Sequence, residues 1–141
     1  MSISPEARTI SGILLVTVPT IALGGAFLLR MLKSNDPGYV KNPLRQNMFR
    51  AGHAHAGIMV MLSLLCQLFA DSVALPNGLL VFVRLGMPCA AVLMPLGFFL
   101  SMASPTATRP NRLIALIYIG ALLVAASVLT LGVALLLPPR G

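Results

Sequence analysis

Residues 50–71 read RAGHAHAGIMVMLSLLCQLFAD, and this stretch decides the fold. It begins with Arg50, carries both histidines of the chain, His53 and His55, near its start, and ends on Asp71, one of three acidic residues. The residues between these polar ends are apolar and continuous. A helix needs about 20 such residues to cross a hydrocarbon core about 30 Å thick. The stretch therefore predicts a transmembrane helix with polar groups at both ends.

The composition of the whole chain gives the same answer. The 141 residues are 57% hydrophobic and 9% charged, which leaves too little polar surface to cover a soluble core of this size. Continuous apolar runs without alternation predict helices, because lipid leaves no water to satisfy an open strand edge. We expect one all-α transmembrane domain over residues 1–141, an integral membrane four-helix bundle whose spans cover about 10–32, 51–70, 78–103 and 113–137.

The cations predict an orientation. Seven of the ten Lys and Arg residues lie in or beside the first and third loops, namely Arg30, Lys33, Lys41, Arg45, Arg50, Arg109 and Arg112. Arg8, Arg84 and Arg140 fall on the other side. The positive-inside rule then places loops one and three in the cytoplasm and both termini outside the plasma membrane. Loop cations of this kind favour anionic lipid as the partner and exclude a basic face for nucleic acid.

Small residues and prolines predict how the spans pack. One stripe of the second span is mostly small, which permits close helix contact in lipid and places this span at the centre of the bundle: Gly52, Ala56, Met59, Ser63, Cys66 and Ala70. Pro19, Pro88 and Pro95 predict kinks. The first loop predicts a short interfacial helix from Leu44 onwards. Cys66 and Cys89 lie at different depths, so we expect two buried thiols and no disulfide.

The two histidines admit three interpretations. Because His53 and His55 are two residues apart, about 200° round a helix, they face different directions. In the first interpretation both are hydrogen-bonded packing residues, and Arg50 extends to the lipid phosphates. In the second, His53 and His55, with Arg50 beside them, bind haem or a transition metal. The second axial ligand would then be a histidine of another subunit, or one of Met87, Met94 and Met102.

The third interpretation is a substrate pocket at the cytoplasmic boundary. Arg45, Arg50, His53 and Gln67 would form it, as an anion-binding, thiolate-activating or proton-transferring site. Arg50, His53 and Gln67 fall on one stripe of the predicted helix. Separately, Arg84 enters the third span while Asp71 closes the second across a short turn. We expect these two residues to form a structural ion pair, because an isolated guanidinium is costly in this position.

Three resemblances follow from these residues. The segment FRAGHAHAGIMVMLSLL resembles that of small bacterial four-span membrane proteins with a RAGHAHAG motif, and the similarity extends to VPTIALGG of the first span; it brings no activity with it. Residues 52–55 are faintly similar to the histidine-bearing helix of haem-copper oxidase subunit I, which implies a haem ligand, although this chain has only two histidines. Four spans and a basic first loop are similar to the glutathione-linked MAPEG enzymes, whose acidic residue in this region is replaced here by Gly57 and apolar neighbours.

These observations lead to one expectation about function and two alternatives. We expect a non-enzymatic integral membrane protein, an accessory or assembly subunit that forms a homo-oligomer or binds a membrane protein partner. The first alternative is a haem-binding or metal-binding protein that uses His53 or His55. The second is a MAPEG-like membrane enzyme.

Overall fold

Four long helices make up most of the molecule. A computed structural model describes residues 3–137, and in this range the chain forms no strand. The helices are α1 (Pro5–Lys33), the short α2 (Pro37–Val40), α3 (Pro43–Ala70), α4 (Asn77–Ser101) and α5 (Ala115–Leu136), the last preceded by a 3-10 turn at Arg112–Ile114. Helices α1, α3, α4 and α5 are each long and apolar enough to cross a membrane. The expected all-α, multi-pass membrane architecture is confirmed.

Capping residues extend α1 beyond its apolar run. Ser4 is the N-cap and accepts a hydrogen bond from the backbone N–H of Ala7, so the helix begins at Pro5 and not near residue 10. At the other end, Asn35 adopts a left-handed conformation with φ of 51°. The N–H groups of Asn35 and Asp36 bond to the carbonyls of Leu32 and Met31, which is a Schellman motif that closes the last turn.

Helix α3 is also longer than the sequence indicated. Asn42 caps it by accepting from the N–H of Arg45, and the helix then runs unbroken from Pro43 to Ala70. The predicted helix from Leu44 onwards is present, but it is continuous with the apolar segment that follows and is not a short element of its own. No residue between Pro43 and Arg50 breaks a helix, so the polar first turns continue directly into the apolar span.

The helices pack in a row and do not close into a ring. Helices α3 and α4 form the central pair, α1 packs chiefly on α3, and α5 packs on α4. Within residues 3–137, α1 and α5 do not touch each other. The small-residue stripe of α3 is buried apart from the half-buried Ala56, and at Gly52 a Cβ would lie 2.8 Å from the Cβ of Phe98 on α4. The expected central position of the second span is thus shared with α4.

Polar contacts join the elements at each end of the bundle. We call the end formed by residues 34–42 and 102–111 the loop end, and the end formed by Ser4 and residues 71–76 the terminal end. At the loop end, Asn42 Nδ2 donates to the carbonyls of Pro105 and Ala107, at 3.3 and 2.9 Å. At the terminal end, the N–H of Ser4 donates to Asp71 Oδ2 at 2.9 Å. The two helix-connecting loops therefore lie side by side at the loop end.

The two cysteines are free, as expected, but only one is buried. Cys66 lies in the main apolar core, with Val83, Met87 and Leu131 among its other members. Cys89 is exposed on the outer side of α4, so the expectation of two buried thiols was wrong for this residue. A continuously apolar span carries no pattern that separates its core face from its lipid face, because lipid and core accept the same side chains.

Candidate functional site

The imidazole of His53 lies against α1 at the point where that helix has no side chains. Gly24 and Gly25 face the ring, and a Cβ on Gly25 would lie 3.1 Å from both Cε1 and Nε2 of His53. The ring is half-buried, and within residues 3–137 neither of its nitrogens makes a hydrogen bond. Two consecutive glycines therefore create the space in which this histidine sits between α1 and α3.

A pocket of about 470 Å³ opens beside His53, between α1, α3 and α4. Its walls are almost entirely apolar. The only polar side chains among its lining residues are His53, Thr17 and Thr20. The hydroxyl groups of Thr17 and Thr20 donate to the carbonyls of Leu14 and Thr17, each at 2.6 Å, so both donors are occupied by their own helix. His53 is thus the one polar side chain in this pocket whose donor and acceptor are both free for a ligand.

His55 faces a different helix. Its ring packs on Phe98 of α4, with 4.9 Å between the ring centroids. The Nδ1–H of His55 donates to the carbonyl of Ala51 at 2.7 Å, which leaves Nε2 with its lone pair. The structure therefore places the two histidines as the sequence predicted, in different directions, and they do not form one joint site.

The proposed substrate pocket of Arg45, Arg50, His53 and Gln67 does not exist as one site. Arg45 is buried at the loop end, where its guanidinium donates to the carbonyls of Gly38, Met102 and Ala103 and lies 4.4 Å from the centroid of the Phe49 ring. Arg50 is exposed. The third interpretation was wrong because it relied on a shared helix stripe, and residues of one stripe can lie far apart along the axis.

Gln67 belongs to a buried polar cluster near the terminal end. Its Nε2 donates to the carbonyl of Arg84 at 2.8 Å, and its Oε1 accepts from Arg84 Nη1 at 3.2 Å. Arg84 Nη2 in turn contacts Asp71 Oδ1 and the hydroxyl of Ser4. Asp71 and Arg84, the pair expected from the sequence, are in direct contact, but Gln67 and Ser4 were not expected beside them. We call these four residues the Arg84 cluster.

Burial and hydrogen bonding shift the pKa of the Asp71 carboxyl in opposite directions. Burial alone raises the pKa of Asp71. Hydrogen bonds from the Ser4 backbone, the Arg84 guanidinium and the Ser4 hydroxyl, together with the charge of Arg84, outweigh this effect, so the pKa lies below its ordinary value. Asp71 is therefore ionised near neutral pH and compensates the buried arginine.

Comparisons with known proteins add no assignment at this point. No family model, curated protein or solved structure matches the chain.

The ligands available for a metal are few. Within residues 3–137, no three His, Cys, Asp or Glu side chains come together as a metal-binding group. Met87, Met94 and Met102, the candidates for a second axial ligand, do not line the pocket beside His53. Met94 instead packs against Gly120 of α5, and Met102 lies in the loop-end core with Tyr39 and Phe49. A haem or metal bound by His53 would therefore need a second ligand other than these three methionines.

Several residues that shape the site could not be selected from the sequence. Gly24 and Gly25 lie in a continuously apolar run that does not identify them as the residues facing His53. The partner of a glycine depends on the rotation of each helix, which an apolar run does not reveal. The best signal was the position of Gly25 and Gly24 eight and nine residues before the end of α1, similar to the distance of His53 from the start of α3.

Proposed function

We propose that this chain is a non-enzymatic, multi-pass protein of the plasma membrane that binds a small lipophilic group in the pocket beside His53. One observation carries the proposal: a half-buried imidazole that makes no hydrogen bond within residues 3–137 faces a pocket that is almost entirely apolar. Ligand sites in proteins are typically apolar clefts of about 300–1,000 Å³ with a few polar groups that orient the ligand. The pocket, at about 470 Å³, has this character.

The other buried polar residues support a binding role rather than catalysis, because their hydrogen bonds are made within the protein. Arg45 donates to three backbone carbonyls, and Arg84 binds both Gln67 and Asp71. These side chains hold helices together, so their hydrogen bonds are not available to a substrate. What remains at the pocket is His53, which can orient a ligand.

The test is to identify what copurifies with the protein. The chain is purified in mild detergent, and its bound lipophiles are extracted and quantified by mass spectrometry for the parent protein, His53→Ala and Gly24→Leu. We expect one species at near-stoichiometric amount in the parent and several-fold less in both variants. Leu122→Ala, on the exposed side of α5, is the control and should match the parent. Equal amounts in all four proteins would contradict the proposal.

A second candidate, haem or metal binding, is supported by the hydrogen bond of His55. Histidine ligands commonly donate one ring N–H to a carbonyl, which fixes the tautomer and orients the other nitrogen toward the metal. His55 makes such a bond to Ala51 at 2.7 Å. A Soret band in the absorbance spectrum, lost in His55→Ala but kept in Leu122→Ala, would support this candidate, whereas a colourless protein without metal by elemental analysis would dispose of it.

We also propose an accessory role in a larger membrane assembly. Helix α1 packs mainly on one neighbour, and its exposed residues include Thr9 and Gly12. Small and polar residues of this type occur where membrane helices meet. Light scattering of the detergent-purified protein should give more than one copy per particle, or a partner should copurify after cross-linking in the membrane. A monomer without a cross-linked partner would contradict this role.

A further inference from the structure

The pocket beside His53 has its one available polar group at one end. Along α1 its lining extends from Ile13 to Gly24, and along α4 from Pro88 to Phe99. Each of these segments rises about 16 Å in a helix. Because α1 and α4 run toward the loop end and α3 runs away from it, Gly24, Phe99 and His53 mark the loop-side end. The opposite end, at Ile13, Val60 and Pro88, lies nearer the terminal end and is apolar.

The polar end suits an uncharged head group. Among residues 3–137, no charged side chain lines the pocket. An unpaired charge would therefore be costly there, because nothing would replace its hydration. A neutral imidazole offers one N–H donor and one nitrogen acceptor. The complementary groups on a ligand are a carbonyl, which accepts from the N–H, and a hydroxyl, which donates to the free nitrogen.

The pocket is open toward lipid. Ile13, Val92 and Leu96 line it and are also exposed on the outer surface, with 62, 57 and 42% of their area accessible. These residues lie well inside α1 and α4, away from both helix ends. A ligand therefore enters sideways from the bilayer and must be soluble in it.

We infer that the ligand is a lipid-soluble quinone or its quinol, with the ring at His53 and the tail along α1 and α4 toward the centre of the bilayer. This inference rests on the proposed function and names the ligand class of that same pocket. A quinone carbonyl accepts from the imidazole N–H, and a quinol hydroxyl donates to the imidazole nitrogen, so His53 binds both forms. A phospholipid or fatty acid has a charged head, which the lining does not accommodate.

The test uses the two histidines as probes. The full chain, labelled with ¹⁵N-histidine, is placed in phosphatidylcholine nanodiscs and titrated with decylubiquinone. Since there are only two histidines, the imidazole signals can be assigned with His53→Phe. We expect a saturable shift of the His53 nitrogens. Loss of this hydrogen bond in His53→Phe should weaken binding of a photoreactive decylubiquinone analogue about tenfold.

Two further variants keep the test independent of folding. Gly24→Leu retains His53 but fills the space beside it, so it should lose binding while its helical circular dichroism stays unchanged. Leu122→Ala should bind like the parent. If the photoreactive decylubiquinone analogue labels the parent and all variants equally, it only partitions into the nanodisc and the inference is overturned. If binding of another lipophile requires His53 and Gly24 while binding of decylubiquinone does not, the quinone inference fails and the proposed function stands. If binding of no lipophile requires these residues, both fail.

Discussion

At the scale of single residues, two buried arginines hold opposite ends of the bundle. Arg45 donates to the carbonyls of Met102 and Ala103, just after the last turn of α4, where the helix dipole is negative. Arg84 binds Asp71, Gln67 and Ser4 near the terminal end. Each guanidinium satisfies groups from at least two elements. These side chains therefore act as cross-links between helices. The Nε–H of Arg45 donates a hydrogen bond, whereas that of Arg84 has no partner within residues 3–137.

The ion pair of Asp71 and Arg84 predicts a pH dependence of stability. Because the pKa of Asp71 is lowered in the folded protein, its stabilisation is present above the unfolded value, about 3.9, and is lost as the pH falls through the folded pKa. Asp71→Asn leaves the buried arginine uncompensated and should cost about 3 kcal/mol at pH 7. Thermal unfolding in detergent between pH 7 and 3 measures both effects.

The control for this prediction is Glu6→Gln, which removes an exposed carboxylate at the same end of the molecule. It should unfold like the parent at every pH. Asp71→Asn should show a flatter pH profile than the parent. Identical profiles for Asp71→Asn and the parent would show that the ion pair does not stabilise the fold.

Sequence reasoning reached part of this residue-scale picture. Asp71 and Arg84 could be paired because a short turn joins their helices and both charges needed compensation. Gln67 was assigned instead to the opposite end, with Arg50 and His53, because all three share one stripe of α3. The stripe gives the direction of a side chain and not its neighbour on another helix. Arg45 was misplaced because its partners are the backbone carbonyls of Gly38 in α2 and of Met102 and Ala103 just after α4, which no residue pattern marks.

At the scale of helices, a proline in α4 explains the position of Gln67. Pro88 has no N–H, so the carbonyl of Arg84, four residues earlier, loses its usual partner in the helix. Gln67 Nε2 donates to that carbonyl at 2.8 Å. The neighbouring helix thus supplies the hydrogen bond that the proline removes, which is how prolines are tolerated inside membrane helices.

This exchange predicts that Gln67 and Pro88 are energetically coupled. Gln67→Leu should destabilise the parent by about 1–2 kcal/mol, because a buried carbonyl loses its donor. In a Pro88→Ala background the helix restores that hydrogen bond, so the same change should cost about 1 kcal/mol less. Loss of the bond between Gln67 and Arg84 Nη1 is common to both backgrounds and cancels. Unfolding in detergent of all four proteins measures the coupling, and a value near zero would contradict the exchange.

The contact between α4 and α5 predicts a difference between two glycines. A Cβ on Gly97 would lie 2.7 Å from Ile117 Cγ1 and 2.9 Å from the backbone nitrogen of Ile117, so the helices would have to separate. Gly97→Ala should therefore destabilise the protein by about 1–3 kcal/mol. Gly132→Ala is the matched control, because no atom of the described residues lies within 4 Å of its Cβ position. Thermal unfolding should rank Gly97→Ala below the parent and Gly132→Ala at or above it; the reverse order would contradict this packing.

The helix number and class followed from hydropathy, but the helix ends did not. Ser4 and Asn42 begin α1 and α3 by accepting backbone hydrogen bonds in polar sequence outside the apolar runs. The end of α4 is closed from outside by Asn111, whose Nδ2 donates to the carbonyl of Leu100 at 2.9 Å. A hydropathy window detects what lipid requires of a helix, whereas its first and last turns depend on single capping groups.

At the scale of the whole molecule, burial is uneven across the row of helices, and positive charge is uneven between the two ends of the bundle. The helices at the ends of the row, α1 and α5, are the least buried, and α3 and α4 carry most of the core. Seven cations lie at or near the loop end, in residues 30–50 and 109–112, while the described part of the terminal end carries Arg8 and the compensated Arg84. This asymmetry supports the proposed orientation, with the loop end in the cytoplasm.

The orientation is the last prediction, and it can be tested in intact cells. In a Cys66→Ala, Cys89→Ala background, a cysteine is introduced at Thr108 for the loop end or at Ile3 for the terminal end; both positions are exposed. Because cations at the loop end resist transfer across the membrane, a membrane-impermeant maleimide should label Ile3→Cys in intact cells and Thr108→Cys only after lysis. Detergent-solubilised samples, in which both should react, are the control. Labelling of Thr108→Cys in intact cells would reverse the orientation and place His53 nearer the outer leaflet.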